Sequence, residues 1–323
     1  MKKFIAFTAV ISIITLAVYF SSCKGKKDEP KVGGDGKDTA AMRLERGEYL
    51  VHHVVGCIDC HSKRDFSKFA GPIITGTEGG GGDLFDQGIG VPGIIYARNI
   101  TPDNETGIGT WTEEDILKAI TQGISKRGDT LFPIMPYATY NHMAKEDLLS
   151  IVAYIKTLKP ISNKIQERKL FMPYVSMACP GPALAPSFEG NVAPPASDQV
   201  KYGEYLATIA VCADCHSPLT PQGPDMTRKF AGGYTFTLPT FKVNSANITQ
   251  DSATGIGTWN EAKFMDKFVK YREEKNWNFD PGKDNTMMPL TLMAGIKDED
   301  LKAIYAYLKT VKPISNKVEK YPK

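Results

Sequence analysis

The sequence has little net charge, few histidines and few cysteines. Its 39 basic and 36 acidic residues leave a formal net charge of only +3 at pH 7. A balance this close to neutral gives no electrostatic basis for binding a phosphate backbone, so nucleic acid is not expected as a partner. With five histidines and six cysteines in 323 residues, few side chains are available to ligate a metal or cofactor.

Most of those cysteines fall in two short motifs that also contain a histidine. Residues 57–61 read CIDCH and residues 212–216 read CADCH. Two thiols one helical turn apart, followed directly by a histidine, form the arrangement that attaches c-type haem. The two sulfurs bond the vinyl groups on one porphyrin edge, and the histidine then lies below the iron as its proximal ligand. A zinc site or a redox-active CxxC pair is the alternative, but it explains less when the motif occurs twice. The sequence predicts two covalently bound haem c groups, attached through Cys57, Cys60, His61, Cys212, Cys215 and His216.

The N-terminal residues are typical of an exported lipoprotein. Two lysines precede an apolar stretch over residues 4–20, and two serines then lead to Cys23. We predict a signal peptide over residues 1–22, lipidation at Cys23, and a membrane-anchored protein of the cell envelope that faces the periplasm or the cell surface. An uncleaved membrane anchor is the alternative, because the apolar run is nearly long enough to span. Residues 23–42 are charged and glycine-rich, which predicts a flexible tether.

The cysteine count leaves one thiol unassigned. With Cys23 used for lipid and four cysteines used for haem, only Cys179 remains. No disulfide is therefore expected within the mature chain. A buried thiol is the favoured interpretation of Cys179, and a haem ligand is the alternative.

The sequence also contains an internal repeat. GEYL precedes each haem motif, NIT occurs at Asn99 and Asn247, and the peptides TGIGTW and KPISNK each occur twice. Self-similarity over this length indicates two homologous domains in tandem. The predicted organisation is a first domain over residues 43–164, a proline-rich extended connector over residues 165–196, and a second domain over residues 197–319.

Each repeat reads as mainly helical, so we predict an all-α fold. Thr112 with Asp115 three residues later forms a capping-box pattern at the start of one helix. Its counterpart begins at Asn260. The last helix of each repeat shows an apolar stripe at helical spacing and stops before Pro160 or Pro313.

The ligand at the sixth iron position determines whether a haem serves electron transfer or catalysis. Methionine is the first candidate for this ligand. Aligned on the shared KPISNK ends, Met135 and Met288 fall in the same register, and each is followed by proline. The other methionines near these helices have no methionine counterpart. We predict Met135 and Met288 as axial ligands. The remaining histidines all lie in the first repeat; they are His52, His53 and His142. A second haem with two histidine ligands would therefore need one of them from the other repeat.

Two unequal segments distinguish the repeats. Residues 76–93, which include Gly79–Gly82, have no counterpart of equal length, and the second repeat is longer around residues 277–284. A calcium loop is one interpretation of the first segment, but a solvated loop is favoured. We expect both segments to border the haem edges and to help distinguish electron donor from acceptor.

Together these residues resemble the cytochrome c subunits of membrane-associated alcohol, gluconate and related dehydrogenases. The first repeat carries the resemblance through GEYL, CxxCH, FAG, RNITPD, TGIGTW, MPY and DLLSIVAYIKTL, and the second repeat echoes it. The resemblance covers residues 43–163 and 201–316, and it implies two tandem class I cytochrome c domains. The chain departs from those subunits in having two haem motifs, where they often have three.

The resemblance also implies particular pairs of residues. The axial pairs would be His61 with Met135 and His216 with Met288. The first and last helices of each domain would cross at a glycine against an aromatic residue. The crossing pairs would be Gly47 with Tyr154 and Gly203 with Tyr307.

Methionine ligation raises the haem potential and leaves no open iron position for a substrate. We therefore expect a dihaem c-type cytochrome that transfers electrons on the periplasmic side of the cell envelope, rather than an enzyme with its own substrate. The alternatives are a dihaem redox enzyme of the thiosulfate dehydrogenase or peroxidase type, and a cytochrome subunit of a membrane-associated dehydrogenase complex. The expected partners are redox proteins: a dehydrogenase, a quinol-oxidising complex or a terminal oxidase.

Overall fold

The computed structural model describes residues 36–171, 188–221 and 223–323. The predicted signal peptide, the lipidation site Cys23 and the unassigned Cys179 lie outside these residues. Within the described ranges, no helix combines the length and the apolar character needed to cross a bilayer.

The first repeat contains five α-helices and one π-helical turn. They are α1 (Gly36–Tyr49), the π-helical turn Leu50–Val54, α2 (Cys57–Cys60), α3 (Glu113–Gln122), α4 (Tyr137–Tyr140) and α5 (Lys145–Ile155). Helix α1 starts inside the segment predicted as a tether, so residues 36–42 are helical and that boundary is wrong. Once its packed part has formed, a helix gains one hydrogen bond for each added residue and extends beyond the core.

The second repeat has the same order of α-helices. They are α6 (Gln199–Ile209), α7 (Cys212–His216), α8 (Glu261–Val269), α9 (Leu290–Met293) and α10 (Asp298–Leu308). Single 3-10 turns occur in both repeats and in the connector, at Gln87–Ile89, Phe188–Gly190, Met226–Arg228, Lys270–Arg272, Glu274–Asn276 and Gly282–Asp284.

The fold is mainly helical, but the expectation of an all-α protein is corrected by three small antiparallel sheets within the described ranges. Strands β1 (Leu84–Phe85), β2 (Gly93–Tyr96) and β3 (Lys169–Leu170) form one sheet, β4 (Leu219–Thr220) pairs with β5 (Gly223–Pro224), and β6 (Thr235–Thr237) pairs with β7 (Lys242–Asn244). In the last sheet Phe236 lies opposite Val243. These strands are too short for an alternating pattern to show in the sequence.

The helix caps that the sequence predicted are confirmed. The Thr112 hydroxyl accepts from Asp115 N at 3.1 Å, and the Asp115 carboxylate accepts from Thr112 N at 2.9 Å. Helix α3 ends at Gly123, whose φ of +66° is a left-handed conformation that glycine adopts without strain. In the second repeat the Asn260 side chain caps α8 by accepting from Lys263 N at 2.9 Å.

The first and last helices of each repeat cross at a glycine. Helix α1 packs on α5, and α6 packs on α10. A Cβ at Gly47 would overlap the Ser150 carbonyl and lie 2.7 Å from the Tyr154 Cβ, as the resemblance implied. Gly203 meets the backbone of Ala303, one helical turn before the expected Tyr307. Glycine is required at both crossings because backbone atoms fill the space where a side chain would begin.

The two repeats pack against each other through a continuous apolar core. One buried cluster includes residues of both repeats, with Leu50 and Ile151 from the first and Leu206 and Leu301 from the second. A second cluster joins the strand regions: Phe85, Ile89, Val91 and Ala97 from the first repeat, and Tyr234, Phe236, Phe241 and Val243 from the second. The repeats are therefore not separated by solvent.

Two reciprocal hydrogen bonds cross this contact. The Tyr49 hydroxyl donates to Asp300 Oδ2 at 2.6 Å, and Tyr205, at the corresponding position, donates to Asp147 Oδ2 at 2.6 Å. Both carboxylates are buried. Each hydroxyl also accepts one backbone N–H, from Lys297 at 3.1 Å and from Ala144 at 3.2 Å. The bonds match in register, so the contact is approximately two-fold symmetric.

The unequal segments also cross from one repeat to the other. In the first repeat, the Ile89 carbonyl accepts from the Tyr234 hydroxyl at 2.9 Å. In the second, the carbonyls of Trp277 and Phe279 accept from Phe69 N at 3.2 and 3.1 Å, and the Phe279 ring stacks on Phe69. Each segment therefore braces the other repeat.

The interpretation of residues 76–93 as a solvated loop is wrong. Gly79, Gly80 and Gly81 are buried, and Gly81 N donates to the His61 carbonyl at 2.7 Å. No group of three or more His, Cys, Asp or Glu side chains among the described residues is arranged to hold a metal ion. The glycines let the backbone pass close to the first haem motif, where a side chain would collide.

The reciprocal bonds generate a stability prediction. Tyr49→Phe leaves the buried Asp300 carboxylate without the hydroxyl, and we expect the free energy of unfolding to fall by about 1–3 kcal/mol. Tyr205→Phe is the matched control and should cost less, because Arg46 still donates to Asp147 through two bonds of 2.8 Å. Chemical denaturation of the haem-loaded protein measures both variants. An equal or larger loss for Tyr205→Phe would contradict the prediction.

Candidate functional site

The two haem motifs line one continuous cavity. Its volume is about 2290 Å³, and its lining is mainly apolar. All eight residues predicted to bind haem line it: Cys57, Cys60, His61, Met135, Cys212, Cys215, His216 and Met288. The structure thus brings together residues that lie up to 231 positions apart in the sequence.

The two motifs adjoin within this cavity. Burial, followed by the charge of Asp214, raises the pKa of Cys215 to about 12, and Asp59 of the other motif contributes to the same shift. Both motifs therefore lie in the same cavity, within the range at which their charges interact.

Both motif histidines are oriented for metal ligation through one ring nitrogen. His61 Nδ1 donates to the Arg98 carbonyl at 2.6 Å, and His216 Nδ1 donates to the Ala246 carbonyl at 2.7 Å. A protonated Nδ1 leaves Nε2 with its lone pair directed away from the carbonyl. Burial lowers the pKa of both histidines, which favours the neutral imidazole that a metal requires.

The repeated peptides NIT, TGIGTW and KPISNK form a network that places these carbonyls. In the first repeat, Asn99 Nδ2 donates to Thr106 Oγ1 at 3.0 Å and to the Ile161 carbonyl at 2.7 Å. Asn247 makes the same two bonds in the second repeat, at 3.0 and 2.8 Å. Because Asn99 and Asn247 directly follow Arg98 and Ala246, the network fixes the two carbonyls that orient the histidines.

Each motif also carries an aspartate between its cysteines and lies near a cation. The guanidinium of Arg64, whose side chain is 1% exposed, is 3.3 Å from Asp59 and donates to the Ala70 and Gly71 carbonyls. Burial raises the pKa of Asp59, and Arg64 opposes that shift. In the second motif, burial raises the pKa of Asp214 to about 6, against the opposing charge of Lys229. These cations were not predicted from the sequence.

The charged residues at the two ends of the cavity differ. In the first repeat Arg98 is paired with Glu167 at 2.6 Å and Arg127 with Asp129 at 2.9 Å. In the second repeat the lining includes Lys267, Lys270 and Lys320. Burial and the neighbouring lysines lower the pKa of Lys267. Of these lysines, Lys270 lies 4.0 Å from the Asp266 carboxylate.

Met135 and Met288 both lie on irregular backbone just before a short helix. Each is half-buried, packs against the core and lines the cavity. Met135 is followed by α4 and Met288 by α9, so the correspondence seen in the sequence extends to the local fold. Both methionines therefore line the same cavity as the motif histidines.

The three remaining histidines have different surroundings. His142 is exposed. His52 Nε2 is 2.8 Å from the Tyr154 hydroxyl in its own repeat. His53 lines the cavity, and its Nδ1 donates to the Leu292 carbonyl of the second repeat at 2.9 Å. The contact made by His53 was missed, although one signal was present: the chain from glycine to cysteine is one residue longer at Gly47–Cys57 than at Gly203–Cys212.

Comparison with known proteins agrees with this geometry. The sequence profile of the cytochrome c family matches residues 200–312. The chain therefore contains a cytochrome c domain. Such a domain binds haem c covalently, and the cysteines, the oriented histidines and the apolar lining of the cavity fit that group.

The relatives of this chain include dehydrogenase subunits and a dihaem protein. It is 30% identical to the gluconate 2-dehydrogenase cytochrome c subunit of Pantoea cypripedii, over 83% of this chain and 59% of that one. It is 29% identical to the cytochrome c subunit of the quinone alcohol dehydrogenase of Gluconobacter oxydans, over 85% of this chain and 56% of that one. It is also 29% identical to a dihaem c-type cytochrome of Cereibacter sphaeroides, over 83% of this chain and 86% of that one.

The resemblance inferred from the sequence is confirmed by these relatives. The chain spans between half and two thirds of each of the two dehydrogenase subunits.

Proposed function

We propose that this protein is a dihaem c-type cytochrome that transfers electrons in the cell envelope, with each haem ligated by one histidine and one methionine. The axial pairs are His61 with Met135 and His216 with Met288, in two tandem class I cytochrome c domains. The observation that carries the proposal is the single cavity lined by both CxxCH motifs and by both register-matched methionines. Haem c, when bound, supplies reversible one-electron chemistry at its iron.

The residues of the chain suit this role in three ways. The cysteines fix the position of the group, and the Nδ1 bonds of the histidines hold the imidazole rings in a ligating orientation. The methionines would close the sixth position against substrates. The apolar lining limits the water that must reorient when the charge on the iron changes. Because the two motifs adjoin, electrons would pass between the haems within one chain.

A subunit role is the second candidate function. Three relatives are named as cytochrome subunits of gluconate, alcohol and fructose dehydrogenases. We therefore propose a dehydrogenase as electron donor, and a quinol-oxidising complex or a terminal oxidase as the further redox partner. A dihaem enzyme of the thiosulfate dehydrogenase or peroxidase type would need a displaceable sixth ligand, which the paired methionines argue against.

The envelope location follows from the N-terminal pattern. We propose that the signal peptide is removed and that Cys23 carries the lipid that anchors the protein to a membrane, on the periplasmic side or at the surface.

The number of haems is tested by mass. The denatured wild-type protein should carry two covalent haem additions. Changing Cys212 and Cys215 to alanine should remove one, because a porphyrin without thioether bonds is lost on denaturation. Changing Cys57 and Cys60 is the matched control and should also remove one. A wild-type protein with a single addition would overturn the dihaem proposal.

Axial ligation is tested by carbon monoxide. If both thioethers bind iron, both ferrous haems stay six-coordinate and low-spin, and carbon monoxide binds poorly. Met135→Ala or Met288→Ala should each open one haem to carbon monoxide and weaken the sulfur-to-iron charge-transfer band of the ferric protein. Met143→Leu, a change at a fully buried methionine, is the control and should leave both haems closed. A wild-type protein with one open haem, or with thiosulfate or peroxide turnover, would favour the enzyme alternative.

The anchor is tested at Cys23. Cys23→Ser removes the thiol that accepts the lipid, so the haem-loaded protein should move from the membrane fraction to the soluble fraction, or its precursor should accumulate. Fractionation and the mass of the mature N-terminus measure both results. A cleaved, haem-loaded variant that remained fully in the membrane fraction would exclude lipid attachment as the anchor.

A further inference from the structure

The backbone segment that carries Met288 is held from both sides by the first repeat. Asn285, three residues before the methionine, is fully buried. Its Nδ2 donates to the carbonyls of Phe66 and Lys68 at 3.0 and 3.1 Å, and its Oδ1 accepts from Ala70 N at 2.8 Å. Three of the bonds of this one amide therefore go to the other repeat.

On the other side of Met288, the contact is made by His53. Its Nδ1 donates to the Leu292 carbonyl at 2.9 Å, four residues after the methionine. The imidazole ring also fills the space beside Gly295, where even a Cβ would overlap it. Met288 thus lies between two points at which the second repeat is bonded to the first.

The segment that carries Met135 is held differently. Asn141 Nδ2 donates to the Thr121 carbonyl of the same repeat at 3.0 Å, and Asn191 Nδ2 bonds the carbonyls of Asn141 and Met143 at 3.0 and 3.2 Å. In α6, Thr208 and Ile209 occupy the positions that correspond to His53. Thr208 donates to the Glu204 carbonyl within its own helix, and Ile209 is apolar, so neither takes the place of the His53 side chain as a donor to the other repeat.

The difference between the repeats originates in one inserted residue. The first repeat has one residue more than the second between its glycine crossing and its first haem cysteine, and the π-helical turn Leu50–Val54 accommodates it. A π-turn changes the direction of the residues that follow it, and such turns occur often at functional sites. His53 lies within this turn.

We propose that His53 and Asn285 are positioning residues through which the first repeat holds Met288 on the iron of the second haem. Ligation of the second haem then depends on the contact between the repeats, whereas ligation of the first haem depends mainly on its own repeat and the connector. The proposal rests on the proposed function, since it requires Met288 to be an axial ligand.

The test measures how fast carbon monoxide replaces methionine at each ferrous haem. His53→Ala should accelerate binding to the second haem about fivefold, the factor that corresponds to losing a hydrogen bond worth about 1 kcal/mol. His53→Asn should restore the wild-type rate, because its amide nitrogen lies where Nδ1 was. Asn285→Ala should accelerate binding at least as much as His53→Ala.

Two backgrounds assign the effect to one haem. In Met288→Ala the second haem is already open, so adding His53→Ala should change nothing. In Met135→Ala the first haem binds in a fast phase, and adding His53→Ala should accelerate only the remaining slow phase. His52→Ala is the matched control, since His52 lies in the same turn but bonds Tyr154 of its own repeat; it should leave both rates unchanged.

The outcomes distinguish the proposed ligation by Met288 from the positioning role of His53 and Asn285. If Met288→Ala does not open one haem, the proposed ligation fails. If it does, but His53→Ala and Asn285→Ala leave the slow phase unchanged, only the positioning role is overturned. An equal acceleration by His52→Ala would likewise overturn it, because it would show a general loosening of the turn. Should Asn285→Ala not load haem, the comparison of His53→Ala with His53→Asn decides.

Discussion

The close crossing of the first and last helices is the contact on which each haem site depends. At Gly47 and Gly203 the helices approach so closely that a single added carbon would overlap a backbone carbonyl. The CxxCH motif follows the first helix and the methionine precedes the last one, so this crossing fixes the two parts of each candidate haem site relative to each other. A larger residue would separate the helices and move both sets of candidate ligands.

A second constraint determines how the histidine is presented. The asparagine of each NIT peptide bonds a carbonyl that is distant in sequence, and the carbonyl just before the asparagine accepts the histidine Nδ1–H. The most similar peptides of the two repeats are therefore explained by hydrogen bonding beyond the candidate ligands. A ligand orientation held by buried, fully paired polar groups costs little reorganisation when the iron changes charge.

The contact between the repeats gives the molecule its asymmetry. Its helical part is nearly two-fold symmetric, with matched Tyr–Asp bonds, whereas its loops are not. The segments that differ between the repeats each cross to the other side, and the second methionine segment is bonded to the first repeat at two points. A duplicated unit has thus acquired two different candidate sites through a one-residue insertion and two unequal loops.

The sequence by itself determined the local chemistry of this protein. The haem motifs, the helix caps at Thr112 and Asn260 and the matching register of Met135 and Met288 are all short-range or repeated patterns, which a single chain displays directly. The glycine crossing at Gly47 was implied by the resemblance. The tertiary structure alone decided how the repeats meet. The Tyr49–Asp300 bond, the Asn285 contacts and the His53–Leu292 bond join residues more than 200 positions apart. No periodicity encodes such pairs, because they form only when separately folded surfaces come into contact. The burial of Gly79–Gly81 was hidden for the same reason: a glycine run indicates freedom of the backbone, and only the packed neighbours show which conformation is selected.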